Sequence, residues 1–307
     1  MFSKEEYKNI VDRFNTYLLT ERCVSANTFS AYKRDIEQCV TFLCTHNVAY
    51  NAISVQNIKT FLHYLKKINC SARTMSRKIS SLKVFFSYLH QRFGLQNVAE
   101  DLVFPKLEKR LPQYLSEEEV EKLFEVVRQA TSPIGLRNKI MLYLLYASGM
   151  RISELTKLQL SDIHFDTGLI FVHGKGGKGR MIPIPEPMLE MLKEYINTVH
   201  RSFVSKRGML RKTEYLFPIY YAGKSKAISR QAFWIILRQL WEKTDIKRPI
   251  FPHKLRHSFA THMLKNGADL RSMQLLLGHE NLSTVQIYTH VETSYIRKIY
   301  DKKHPRS

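Results

Sequence analysis

The chain has 307 residues, 44% of them apolar, and sets 48 Lys plus Arg against 27 Asp plus Glu, a formal net charge of +21. That length suits two ordinary domains, and that apolar content supports packed cores and excludes a wholly disordered chain. So large a positive excess repels itself unless a polyanion compensates it, so nucleic acid leads as the partner. A membrane surface ranks second, with neither a lipidation motif nor a basic amphipathic terminus behind it. Cys23, Cys39, Cys44 and Cys70 all fall in the first quarter and form no paired CxxC set, which argues against zinc. The opening MFSKEEYKNI lacks the apolar stretch of a signal peptide, and no apolar run is long enough to span a bilayer. The expectation is a cytoplasmic protein with reduced thiols.

Tyr7, Ile10, Val11, Phe14 and Leu18 recur at helical spacing and predict an amphipathic helix over residues 2–20. A second is predicted from Ala26 to His46, with Phe29, Tyr32, Ile36, Val40 and Leu43 inward and Lys33 and Arg34 outward. Ser54 is placed to cap a third helix through Lys66. The fourth runs from Ser71 to about Arg92, apolar on one side and carrying Arg73, Arg77, Lys78 and Lys83 on the rest. Those cations make either an ordinary solvated face or a phosphate-contacting one. The stretch 99–114 holds two prolines, clustered charge and no sustained period, so it is assigned to a linker between a helical domain over 1–98 and a second domain from 115.

Ser116 with Glu119 fits a capping box that opens a helix to about Ala130. Ile140, Leu142, Leu144 and Leu145 predict a buried helix that ends at Ser148-Gly149, after which Arg151 stands at the start of another helical turn. A charge at such a junction is costly if buried alone, so Arg151 is either tied to a carboxylate such as Glu154 or held for an anionic ligand. Residues 168–185 are the one strong β signal: Leu169–Val172 and Met181–Ile184 flank GKGGKG, a hairpin turn carrying Lys175 and Lys178. The turn does not match a P-loop and joins strand to strand, so nucleoside triphosphate binding is disfavoured and a lysine reaching for DNA fits better. Helices follow over Pro187–Arg201 and from Ser229 to Lys243, separated by a basic stretch, 204–226, read as irregular around Leu216-Phe217-Pro218. The fold class is thus mainly α with a small β hairpin, the second domain being α+β.

The stretch PHKLRHSFATHMLKNGADLRSMQLLLGHENLSTVQIY, residues 252–288, gathers His253, Arg256, His279 and Tyr288. His253 and Arg256, three apart, share a helical face, and Tyr288 is expected on a further short helix. Each alone is as readily structural. Together they suit chemistry on a phosphodiester: a guanidinium fork for phosphate oxygens, imidazoles for proton movement and a phenol able to attack.

Read with ASGMRISEL at 147–155, GKGGKGR at 174–180 and the ending YDKKHPRS, these motifs stand in the order and spacing of the tyrosine recombinases (the phage integrase family). Among these the chain resembles the Xer site-specific recombinases, over nearly its whole length. The resemblance implies two domains clamping DNA: a SAM-like core-binding domain at 1–98 and a catalytic domain at 115–290, followed by a protomer-exchange tail at 291–307. It implies that Arg151 and Arg256 grip the scissile phosphate, that Lys175 is the general acid, that His253 and His279 complete the pocket and that Tyr288 is the nucleophile. It further implies no cofactor or metal, and action on two double-stranded DNA sites as a homotetramer, or as a heterotetramer with a second Xer-type recombinase. The expected process is resolution of chromosome dimers at cell division, with an FtsK-type DNA translocase as a candidate activator.

Three rivals remain at this stage. A phage, transposon or integron integrase would share the chemistry, and a type IB topoisomerase would use a similar residue set without a partner strand. A non-catalytic DNA-binding protein could keep the scaffold, although a complete catalytic set argues against it.

Overall fold

The structure is a computed structural model that describes residues 4–106, 114–174, 179–200, 205–206, 209–210, 213–221 and 224–278. Two compact units divide the chain, 1–111 and 112–307.

Four helices build the first unit: α1 (Lys4–Thr20), α2 (Ala26–Thr45), α3 (Val55–Lys67) and α4 (Ala72–Phe93). Serines set three of the starts, as side-chain acceptors for orphan backbone N–H groups: Ser25 for Thr28, Ser54 for Asn57 and Ser71 for Thr74. The predicted stripes point inward, with Phe14, Leu18, Ile36, Leu43, Ile58, Phe61, Leu65, Ile79, Leu82, Phe85, Phe86 and Leu89 in one core. Two details differ from the sequence expectation. Lys78 does not lie on a solvated face: it is buried, and its Nζ donates to Asp35 Oδ1 at 2.9 Å, while Ser81 Oγ donates to Oδ2 at 2.8 Å and Arg77 pairs with the same carboxylate. A buried carboxylate demands such donors, and α4 supplies them to α2. In addition, Ala99 and Leu102 pack into this core, so the first unit reaches into the stretch assigned to the linker.

The second unit opens on the expected capping box: Ser116 N donates to Glu119 Oε2 at 2.8 Å and Glu119 N to Ser116 Oγ at 3.2 Å. This starts α5 (Glu117–Arg128), followed by α6 (Pro133–Ser148), which is apolar nearly all round and therefore buried at the centre. Gly149 ends α6 in the left-handed region, φ 59°, and a Cβ there would lie 2.2 Å from the Phe259 ring, so both the backbone and the space require glycine. A single turn, α7 (Ile152–Leu155), follows at once.

Strands β1 (Ile163–His164), β2 (Leu169–His173) and β3 (Gly179–Pro183) form an antiparallel sheet in the order β1-β2-β3. Ile170 faces Ile182 and His173 faces Gly179, so the predicted hairpin is present, with one short strand added; its tip, 175–178, lies outside the described residues. Helix α8 (Glu186–Tyr195) runs on into a wide turn, Ile196–His200. The stretch read as irregular contains two hairpins. The pair β4 (Ser205–Lys206) and β5 (Met209–Leu210) is short, and β6 (Pro218–Tyr221) pairs with β7 (Lys224–Ala227) in the register Ile219 to Lys226. Lys224 and Lys226 are exposed, so β7 lacks the apolar alternation that marks a half-buried strand.

Helix α9 (Arg230–Trp241) buries Phe233 and Leu237, one turn apart, and leaves Ile235 exposed. Then come α10 (Pro252–Lys265) and α11 (Leu270–Leu277), which ends on Gly278 at φ 62°. Helix α10 packs on α6, where Tyr146 Oη and His262 Nδ1 share a buried hydrogen bond of 2.8 Å. Among the described residues no helix is long and apolar enough to cross a membrane.

Candidate active site

Three places in the second unit converge: the turn from α6 into α7, the first strand residues after the hairpin tip, and the facing ends of α10 and α11. Arg151 occupies the N-cap of α7 in extended conformation, two residues beyond Gly149. Its side chain is 46% exposed, yet Nη1 donates to Glu154 Oε1 at 3.0 Å and its backbone N–H to Oε2 at 2.7 Å. The first sequence reading of Arg151 thus holds, since it is tied to a carboxylate, and its guanidinium remains about half exposed.

Arg256 is the opposite case, only 6% exposed on the buried face of α10. Its Nη1 donates to Gly149 O at 2.6 Å and its Nη2 to Leu277 O at 2.7 Å. One planar fork thus fixes the backbone two residues before Arg151 and two residues before His279. Burial, then the nearby charges of Arg151 and Arg180, pull the Arg256 pKa down to about 10, with Glu154 opposing. It stays charged at neutral pH. His253 stands exposed in the first turn of α10, whereas Arg256, three residues on, is buried. Lys175, His279 and Tyr288 lie outside the described residues.

One member escaped the sequence reading. Arg180 is 5% exposed and sets a two-pronged fork on Glu154, Nη1 to Oε1 at 3.1 Å and Nη2 to Oε2 at 2.8 Å, while Nε donates to Leu276 O at 2.8 Å. A Cβ on Gly278 would sit 3.1 Å from Arg180 Cδ, so the glycine also makes room for this side chain. Strand alternation held the signal: Arg180 shares a face with the buried Ile182, which turns the guanidinium inward. Desolvation of the largely covered Glu154 carboxyl would raise its pKa; the Arg180 fork and charge, then the Arg151 bonds, outweigh it and hold the carboxyl below its usual range.

Two guanidiniums, Arg151 and Arg180, thus meet the Glu154 carboxylate, Arg256 is near enough to feel the charges of all three, and the surplus positive charge faces outward at Arg151. Such a cluster fits an anion carrying several acceptor oxygens. Among the described residues no His, Cys, Asp and Glu group is arranged to hold a metal.

The sequence of both units matches a known family. Residues 113–294 match the Phage integrase family and residues 11–92 the Phage integrase, N-terminal SAM-like domain. The chain belongs to the phage integrase family: it is a tyrosine recombinase, an enzyme of DNA strand exchange. Tyrosine recombinase XerD of Listeria innocua serovar 6a is 38% identical over 303 residues, covering 97% of this chain and 99% of that protein. Tyrosine recombinase XerD of Staphylococcus saprophyticus is 37% identical over 300 residues, covering 97% and 99%. The fold is that of the XerH site-specific recombinase bound to its difH substrate (TM-score 0.68, 20% identity, 89% of this chain and 76% of that one). It is also that of a lambda integrase in a tetramer bound to a Holliday junction (TM-score 0.67, 19% identity, 91% and 80%).

Proposed function

We propose that this recombinase resolves chromosome dimers in the cytoplasm, cutting and rejoining a chromosomal site through a 3′-phosphotyrosine and a Holliday junction. The cluster of Arg151, Arg180 and Arg256, of which Arg151 and Arg180 bond the Glu154 carboxylate, carries the chemical part of this reading. XerD relatives matching nearly end to end carry the biological part. A phosphodiester enters with one negative charge and its transition state gathers another, so cations fixed beforehand stabilise the transition state more than the ground state. In this reading Arg151 and Arg256 hold the non-bridging oxygens and His253 and His279 donate to phosphate and manage the tyrosine proton. Tyr288 attacks, and Lys175 protonates the departing 5′ oxygen. A phenol is protonated at neutral pH, with a reference pKa of about 10, so its proton must find an acceptor as it attacks. The phosphotyrosine stores the bond energy, so no cofactor or external energy source enters.

The function is tested by recovering genomic fragments bound by the protein and placing two copies of the enriched sequence on one plasmid. The expected site lies once on the chromosome, and its paired copies recombine when this protein, alone or with a second Xer-type recombinase, is supplied. Enrichment instead at the ends of a mobile element would make the protein an integrase. Loss of the FtsK-type translocase from cells is expected to lower recombination at that site.

Lys175→Ala should slow cleavage by about a thousandfold, in the range of losing one transition-state donor. A substrate with sulfur at the bridging 5′ position should restore it, because a thiolate leaves without a proton. Equal defects on the oxygen and sulfur substrates would reduce Lys175 to a phosphate contact.

The tail 291–307 carries Ile296, Ile299 and Tyr300 at i, i+3, i+4 spacing, a stripe too short to stand alone as a helix. In this reading it docks on the neighbouring protomer of the tetramer. Removing 295–307 should leave single half-site binding intact while cooperative pairing and strand exchange collapse. Normal pairing by the truncated chain would make the tail a local cap.

A further inference from the structure

We propose that Arg180 is a positioning residue whose task is to take up the charge of Glu154, so that Arg151 keeps its own charge for the scissile phosphate. The inference rests on Arg151 being a phosphate-gripping residue.

The geometry carries the argument. The Glu154 side chain is only 6% exposed, and Glu154 accepts four hydrogen bonds, two from Arg180 and two from Arg151. The Arg180 fork is bidentate and both side chains of that pair are 6% exposed, whereas Arg151 offers a single guanidinium contact from a side chain about half exposed. Charge balance therefore closes between Arg180 and Glu154, and Arg151 holds its orientation without being neutralised. The remaining Arg180 donor, Nε, lies on Leu276 O, so the same side chain also holds the end of α11.

Without Arg180, the carboxylate would have one cation left. Arg151 would be drawn into a neutral pair with Glu154, its fork turned from the substrate. A merely structural Arg180 would lower stability and leave the rate per folded molecule unchanged. A charge-balancing Arg180 gives a different signature, because neutralising Glu154 then relieves the defect.

The experiment measures single-turnover cleavage of a nicked half-site at saturating protein, for R180M, E154Q, the double variant R180M/E154Q and R151A. R180M is expected to cleave about a hundredfold more slowly than wild type, as for a displaced catalytic group, with half-site affinity within about threefold. E154Q added to R180M should raise the rate about tenfold, a non-additive rescue that only coupled residues show. If R180M does not fold, R180Q carries the same comparison, since its amide still donates into that space without charge. Wild-type cleavage by R180M or R180Q, or a double variant no faster than the single one, would overturn the proposal. R151A separates the two levels: cleavage by R151A at the wild-type rate would sink the reading of Arg151 itself. A silent R151A beside an active R180M would sink only the role of Arg180.

Discussion

Tyr288→Phe should bind a half-site within about twofold of wild type and form no covalent complex with a nicked suicide substrate. The change removes one oxygen and leaves ring, volume and charge in place, so phosphate contacts and packing are retained. Only the attacking atom is lost, and without it no phosphotyrosine can form and no junction can follow. On a denaturing gel, wild type should shift with its DNA and the variant should not. A persistent adduct in the variant would move the nucleophile to another tyrosine, with Tyr295 next in sequence.

Arg256→Ala should be the most damaging change among the described residues, because it strikes twice. The variant leaves Gly149 O and Leu277 O without their donor in a buried setting, at about 1–3 kcal/mol for each unsatisfied group, so the denaturant midpoint should fall clearly. Cleavage by the folded fraction should fall by about a thousandfold, as for a lost transition-state donor. Arg256→Lys keeps the charge but cannot reach two carbonyls with one planar fork, so it should recover stability in part and activity little. An Arg256→Ala protein that cleaves near the wild-type rate would show that this arginine braces the fold and does not face the phosphate.

The sequence carried much of this architecture because its signals were local. In the first unit, serine caps and one-sided apolar stripes identify four helices, and those stripes are the core that forms. Ser148-Gly149 likewise announces the end of α6, since a left-handed cap against the Phe259 ring needs glycine. The signals that failed were non-local. Lys78 looks like a surface cation until Asp35, 43 residues away, claims it. The β6–β7 hairpin exposes lysines where alternation was sought. Glu154 was legible as a partner for Arg151, since three residues separate them. Its stronger partner, Arg180, is 26 residues further on and visible only through strand phase.

Arg256 illustrates how fold and chemistry are joined. Its spacing from His253 pointed to one helical face, but the helix buries the arginine and exposes the histidine. Both are compatible with a phosphate site, because α10 starts at Pro252 and its first turn emerges from the core while the second lies within it. A buried guanidinium that braces the ends of two helices is rigid before substrate arrives, which is what a transition-state donor requires.

The most direct measurement is to locate the covalent bond. Wild-type protein is trapped on a nicked half-site, digested, and the DNA-linked peptide identified by mass spectrometry. The account predicts a single peptide bearing a nucleotide through a 3′ phosphate on Tyr288, with a free 5′-hydroxyl on the released strand. A bond to any other residue, or a 5′ phosphate retained on the protein, would contradict it.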